Sequence, residues 1–315
     1  MKLILVALFG TVALSAMAVA CSASPFSAAL TKGASINLRL LVADEQGVPV
    51  NGAVVDCRLG MFDESESRSV RVNADERGCA LIEGRTCGNY IDIVAACDGY
   101  YQSRKKLCLI KIGHEYKVEN GYWQPSVMEE RIVLRKKADA TDLVCISCSY
   151  EIPVTNQWCA FDLAKKDWVK PNGVGEIGDL EVMAEWDSLP PHRSSYAKIE
   201  VRFADDDAGF YPVAKAVDSV FKGVHKANAL AAYEKSFCCS RVRKDGEVYN
   251  TGFDGTHVYV CRSRCRHDEN GKLIGAHYSL IEGVGVFPGW EGRAKLSLIT
   301  KFNTTFNDLR LESKE

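Results

Sequence analysis

Beyond residue 20 the chain has no apolar run long enough to cross a membrane as a helix, no internal repeat and no low-complexity tract. It has little net charge, −2 at neutral pH, and its lysines and arginines are scattered rather than blocked, so the basic stripe that nucleic acid requires is missing. Histidines number only 6. There is no G-x-S-x-G nucleophile elbow and no H-E-x-x-H helix, so two common hydrolase signatures are missing. No motif asks for a cofactor, and none is expected.

What is present begins at the N terminus. Lys2, the apolar residues 3–13 and the small residues 16–20 read as a secretory signal. Cleavage after Ala20 leaves Cys21 first, and Ala18-Val19-Ala20-Cys21 looks like a bacterial lipobox, although that pattern prefers Leu at the position of Ala18. Cys21 is therefore the expected acylation site, with ordinary cleavage nearby as the alternative. Residues 21–34, small and polar, read as a tether. The chain carries 13 cysteines in all. In an exported protein they suggest disulfides, yet besides Cys21 five fall in the first half and seven in the second, both odd, and several sit in apolar strand sequence where a thiol acts as a small hydrophobe.

The length suits two domains. In the first, Ile36, Leu38, Leu40 and Val42 alternate with other side chains at the strand period of two. Residues 42–55, VADEQGVPVNGAVV, then give a turn and a second strand, with Gly47 and Gly52 where the backbone must bend and Pro49 at a strand edge. Asp44, Gly47, Pro49, Val50, Gly52, Ala53 and Val55, followed by Gly78, by Gly88, Tyr90 and Ile91, and by Gly99 and Tyr100, match the strand-and-turn pattern of a known family. Over residues 34–137 the chain resembles the carboxypeptidase regulatory-like family, small transthyretin-like β-sandwich modules. The resemblance implies a fold and no active site. Residues 120–127, with Tyr122, Trp123 and Pro125, depart from the pattern as an insertion.

Residues 135–142 form a charged bridge, which sets the domains at 35–137 and 143–315. The second reads as strands again: Leu180, Val182, Ala184 and Trp186 alternate, as do Ile199, Val201 and Phe203. Across residues 211–233, Val213, Ala216, Val217, Val220, Phe221 and Val224 fall on a helical stripe behind Pro212, which predicts a short helical insert. A long hairpin is expected over residues 256–287, turning at Asn270-Gly271. The fold class is thus mainly β: two β-sandwich-like domains, the second with a short helical insert.

Chemistry is sparse. Gly173, Gly175 and Gly178 spell G-x-G-x-x-G, but a strand follows where a dinucleotide loop opens a helix. Cys145/Cys148 and Cys261/Cys265 could together furnish four thiolates to zinc, the first pair having metal-like spacing and the second lying on one strand face, yet buried thiols or disulfides account for both. No metal site is expected. Asp205, Asp206 and Asp207 lack the spaced loop of calcium sites. Trp123, Trp168 and Trp290, each in turn-like sequence, are the candidate binding residues, as rings on which a sugar or peptide stacks. The sequence thus predicts an exported, lipid-anchored, non-enzymatic protein that binds a protein or glycan at the cell envelope, outside or in the periplasm. The alternative is a secreted, carbohydrate-active hydrolase with its site in the second domain.

Overall fold

The computed structural model describes residues 24–61, 68–88, 90–109, 117–187, 194–244, 246–252, 255–288 and 293–314. The fold is mainly β. Helix α1 (Pro25–Lys32) is the one helix among the described residues. Ser24 caps it by accepting the Ser27 amide, Pro25 takes the first turn and Gly33 closes it at φ +76°. This corrects the tether: its second half is helical and docked, with Ala29 buried and Phe26 edge-on to Trp123 at 6.0 Å. Cys21 lies outside the described residues.

The front body continues through β1 (Ala34–Asp44), β2 (Val54–Leu59), β3 (Arg68–Asn73), β4 (Cys79–Thr86) and β5 (Ile91–Ala96). It ends with β6 (Tyr100–Tyr101), β7 (Ser103–Leu107), β8 (Val118–Glu119), β9 (Tyr122–Trp123) and β10 (Met128–Lys136). One sheet runs β6-β10-β1-β9-β8, with β4 also on β1, and the other runs β3-β2-β5-β7. The alternation in β1 drives the packing: Ile36, Leu38, Leu40 and Val42 are buried while Leu41 stays at the surface. Burying each such side chain contributes about 1.5–3 kcal/mol. After β1 the Asp44 carboxylate accepts the amides of Gln46 and Val48, and Gly47 takes φ +85°. Gly78 locks this turn to the next one, since its carbonyl accepts the Val42 amide at 2.8 Å.

The rear body comprises β11 (Leu143–Glu151), β12 (Cys159–Asp162), β13 (Asp167–Trp168), β14 (Leu180–Asp187), β15 (Ser194–Arg202) and β16 (Gly209–Ala214). It continues with β17 (Ser236–Lys244), β18 (Glu247–Thr251), β19 (His257–His267), β20 (Leu273–Pro288) and β21 (Ala294–Asn303). Its sheets run β11-β21-β20-β19-β16 and β13-β12-β14-β15-β17-β18. Between them Phe161, Val182, Ile199, Leu298 and Phe302 form a core separate from the cluster around Leu38 and Ile132 in the front body. Gly271 turns the β19–β20 hairpin at φ +76°.

The helical insert is not there. Residues 209–214 form β16 and pair with β19, and the rest of the stretch to Tyr233 is irregular, leaving Val217 86% and Val220 57% exposed. The physical reason lies in where the amides go. The Val220 amide donates to Gln102 O of the front body, and Asp218 O accepts from Arg104 N, so these groups are spent on a partner sheet instead of an i to i−4 ladder. Ser219 bridges Ser103 in the same way, and the loop thereby covers the free β7 edge of the front sheet.

Candidate functional site at the junction of the two bodies

Ionisable side chains from both bodies gather where the bodies meet. From the front body come Glu45, just after β1, Tyr101 on β6 and Arg135 on β10; from the rear come Phe221, His225 and Glu312. Phe221 is the plug. Its ring stacks on Tyr101 at 4.9 Å and on His225 at 4.9 Å, and the Arg135 guanidinium lies 4.9 Å from its centroid. Glu312, only 2% exposed at its side chain, accepts from the Tyr101 hydroxyl, from the Ala138 amide at 3.1 Å and from His225 Nδ1 at 2.5 Å. Arg135 donates to Glu45 Oε1 at 2.8 Å and to the carbonyls of Phe221 and Gly223. A buried charge needs such a full set of partners, and here the set is drawn from both bodies.

Beside this knot opens a cleft of about 530 Å³, bounded on the front by Glu45, Val133 and Arg135 and on the rear by Val213, Ala216, Val217, Asp218 and Val224. Its size suits a small ligand or a few residues of a peptide. A second hollow of about 340 Å³ has aromatic walls, Phe210, Phe237 and Tyr259, with Cys238 on its rim. Burial pushes the Cys238 thiol up, with Glu200 and Glu185 adding to it against Lys198.

Two of the three tryptophans read from the sequence as exposed binding rings, Trp123 and Trp168, are not exposed. Trp123 is fully buried, donates its indole N–H to Thr86 O at 2.8 Å, and lies against Gly88, where a Cβ would come within 2.7 Å of the ring. Trp168 is 4% exposed, donates to Glu151 O at 2.9 Å and packs edge-on to Phe161. Both rings fill cores whose apolar demand the turn-like local sequence conceals. Trp290 lies outside the described residues.

The G-x-G-x-x-G segment does cradle anions, but they are the chain's own. Val174 N donates to Asp167 Oδ2, and Glu176 N and Ile177 N donate to Asp162 Oδ2. Glycine is needed for close approach, since a Cβ at Gly173 would sit 2.4 Å from Trp168 O. Asp162 also meets Arg264 at 2.7 Å, and Arg264 reaches Asp179 at 2.7 Å. Burial alone would raise the Asp162 carboxyl, but these amides and the guanidinium outweigh it and hold it below the usual carboxylate range.

The hairpin histidines are spread along it. His257 meets Thr256 Oγ1, His267 meets Asp207 at 2.6 Å, and His277 stacks on Phe302 while Nδ1 reaches Asn303 O. Among the described residues no three His, Cys, Asp or Glu side chains gather as metal ligands. Cys57, Cys87, Cys159 and Cys261 are unbridged thiols inside the protein, and Cys145, Cys148 and Cys238 are unbridged thiols at the surface. Desolvation pushes Cys57 up to about 12 and Cys265 up to about 11, so neither is poised as a nucleophile. Sequence reasoning missed Glu312, His225 and Arg135. The one available signal was Gly99-Tyr100-Tyr101, whose second tyrosine holds Glu312.

No family model matches the chain, and no curated protein does. Among solved structures, 3-chlorocatechol 1,2-dioxygenase from Rhodococcus opacus 1CP is 14% identical over 33% of this chain and 61% of its own, with a TM-score of 0.26. Hydroxyquinol 1,2-dioxygenase from Pseudomonas putida DLL-E4 is 18% identical over 34% of this chain and 58% of its own, with a TM-score of 0.25. The chain thus spans about three-fifths of the length of these enzymes. A Bacteroides fragilis NCTC 9343 protein of unknown function, described as membrane-associated, is 11% identical over 88% of this chain and 99% of its own, with a TM-score of 0.20. Scores this low carry no activity across to this chain.

Proposed function

We propose that the chain is an exported binding protein, tethered to a membrane by an acyl group on Cys21, that engages a protein or glycan at the cell envelope without catalysis. On this reading the front body is a carboxypeptidase regulatory-like, transthyretin-like sandwich serving as scaffold. The observation that carries the reading is the junction cleft: a hollow with aliphatic walls between two bodies joined by buried polar bonds, beside ionisable groups engaged with one another. A preorganised concave surface suits recognition. The alternative, a hydrolase, draws on His225, set 2.5 Å from Glu312 and 3.9 Å from Glu45. Against it, Glu312 is sealed by Tyr101 and Ala138, so its imidazole partner is oriented for locking rather than for activating water.

Arrays of envelope glycans and peptides, probed with wild-type protein and with Ala216→Trp, which fills the cleft, test the binding arm. A ligand retained by wild type and lost on filling supports it. Turnover of chromogenic glycosides that His225→Ala abolishes would overturn it in favour of the hydrolase. Labelling of cells with an alkyne fatty acid tests the anchor: incorporation that Cys21→Ser removes is expected, and an unlabelled protein sinks it.

A further inference from the structure

We infer that the junction cleft takes an aliphatic chain ending in a primary ammonium, the chemistry of a lysine side chain presented by a partner polypeptide. The inference rests on reading the cleft as a binding site. The walls supply the first half of the specificity: Val133 from the front body and Val213, Val217 and Val224 from the rear offer aliphatic surface with no aromatic ring. Burying methylene groups there is favourable, and it suits a straight alkyl stem.

Charge supplies the second half. Three ionisable side chains line the cleft, Glu45, Arg135 and Asp218. Arg135 is engaged within the protein: its side chain is 10% exposed, Nε is paired with Glu45 at 2.8 Å, and Nη1 donates to the carbonyls of Phe221 and Gly223. Its charge and that of Glu45 cancel. Asp218 is left over. Its backbone carbonyl accepts the Arg104 amide, while its carboxylate makes no hydrogen bond or ion pair among the described residues.

None of the neighbouring cations is ion-paired with it: Lys301 pairs with Glu282 at 3.0 Å and Arg104 with Asp92, while Lys222 Nζ donates to the Val217 carbonyl at 2.7 Å and Lys215 Nζ to the Glu282 carbonyl at 3.1 Å. The three charged side chains of the lining itself, Glu45, Arg135 and Asp218, sum to one negative charge against an aliphatic wall. An anionic ligand would be repelled, and a neutral alkyl ligand would strip water from the Asp218 carboxylate with nothing in return. An ammonium on an alkyl stem satisfies both surfaces. Its three donors also suit the single-point geometry better than the fork of a guanidinium.

The test is saturation-transfer NMR and titration of the full-length protein with four acetylated, amidated tripeptides, Ala-X-Ala, with X lysine, Nε-acetyl-lysine, norleucine or glutamate. The lysine peptide is expected to bind about tenfold more tightly than the acetyl-lysine or norleucine peptide, the weight of one partly exposed ion pair. Asp218→Asn should erase that preference and Asp218→Glu should restore most of it, with near-UV circular dichroism showing both variants folded. Equal affinity for lysine and norleucine, or a preference untouched by Asp218→Asn, overturns the inference. If Ala216→Trp then abolishes both equal affinities, the cleft still binds and only its cation preference has failed. If no peptide binds, the inference falls, and the arrays of envelope ligands decide separately whether the cleft binds anything.

Discussion

The Tyr101 hydroxyl of the front body donates to the Glu312 carboxylate of the rear body across 211 residues of sequence. Glu312→Ala would leave Tyr101, His225 and the Ala138 amide without their acceptor, a loss of about 3 kcal/mol. Tyr101→Phe removes a single donor and should cost about 1 kcal/mol. Hydrogen exchange is the readout, at the Arg104 and Val220 amides that bridge the bodies. Faster exchange there in Glu312→Ala is expected; unchanged protection at both would show that Glu312 does not hold the junction.

Arg264 holds two buried carboxylates, Asp162 and Asp179, each 1% exposed. Replacing it by methionine keeps much of its volume and strands both charges. Backbone amides still reach Asp162, so a destabilisation of about 3 kcal/mol is expected. Urea unfolding of Arg264→Met beside wild type measures it, and a change under 1 kcal/mol would refute the role.

Two glycines with the same backbone angle separate strain from space. Gly52 and Gly78 both have φ +71°, but a Cβ at Gly52 meets nothing within 4 Å, whereas one at Gly78 would lie 2.3 Å from Val42 O. Gly52→Ala should cost only the left-handed backbone, about 1 kcal/mol. Gly78→Ala should cost that plus displacement of the β1 turn, about 3 kcal/mol or more. Thermal melts that rank them equally would contradict the interlocked turns.

Acid should act in two windows. Burial among Phe302 and Phe306 lowers the His277 pKa, so folding disfavours its imidazolium. Its contribution to stability is present above the unfolded value, about 6.5, and is lost as the pH falls below that. Asp308, held down to about 2 first by its bond from Arg310, contributes above the unfolded value and loses that contribution between about pH 4 and 2. In stability profiles, His277→Phe should flatten the upper window and Asp308→Asn the lower. Profiles parallel to wild type in both would reject these assignments.

Thiol labelling of the native protein should divide the cysteines by position. Cys145, Cys148 and Cys238 are exposed and should react first, while Cys57 and Cys261, buried and with their thiols pushed up by desolvation, should react only on unfolding. Mass mapping after a short pulse reads this directly, and early modification of Cys57 would contradict its place in the core.

The sheets were legible because alternation is a local property: Ile36, Leu38, Leu40 and Val42 report one buried face without help from distant residues. The Asn270-Gly271 turn was legible for the same reason. The helical stripe over residues 211–233 misled because its valines fit a helical wheel as well as a strand followed by a docked loop. The deciding partners, Gln102 and Arg104, lie more than a hundred residues upstream. The cap of α1 was visible in Ser24-Pro25 and Gly33, yet small polar composition masked it. Apart from Gly99-Tyr100-Tyr101 the junction was illegible, because Glu312 by itself shows nothing of the tyrosine and histidine that surround it.

During synthesis the core cluster around Leu38 and Ile132 is complete once Leu134 has left the ribosome. Tyr101, His225 and the Ala138 amide must wait for Glu312. A nascent chain arrested before residue 312 therefore carries a finished front module with an unsealed rear seam. Chaperones and proteases would find their opening at Phe221.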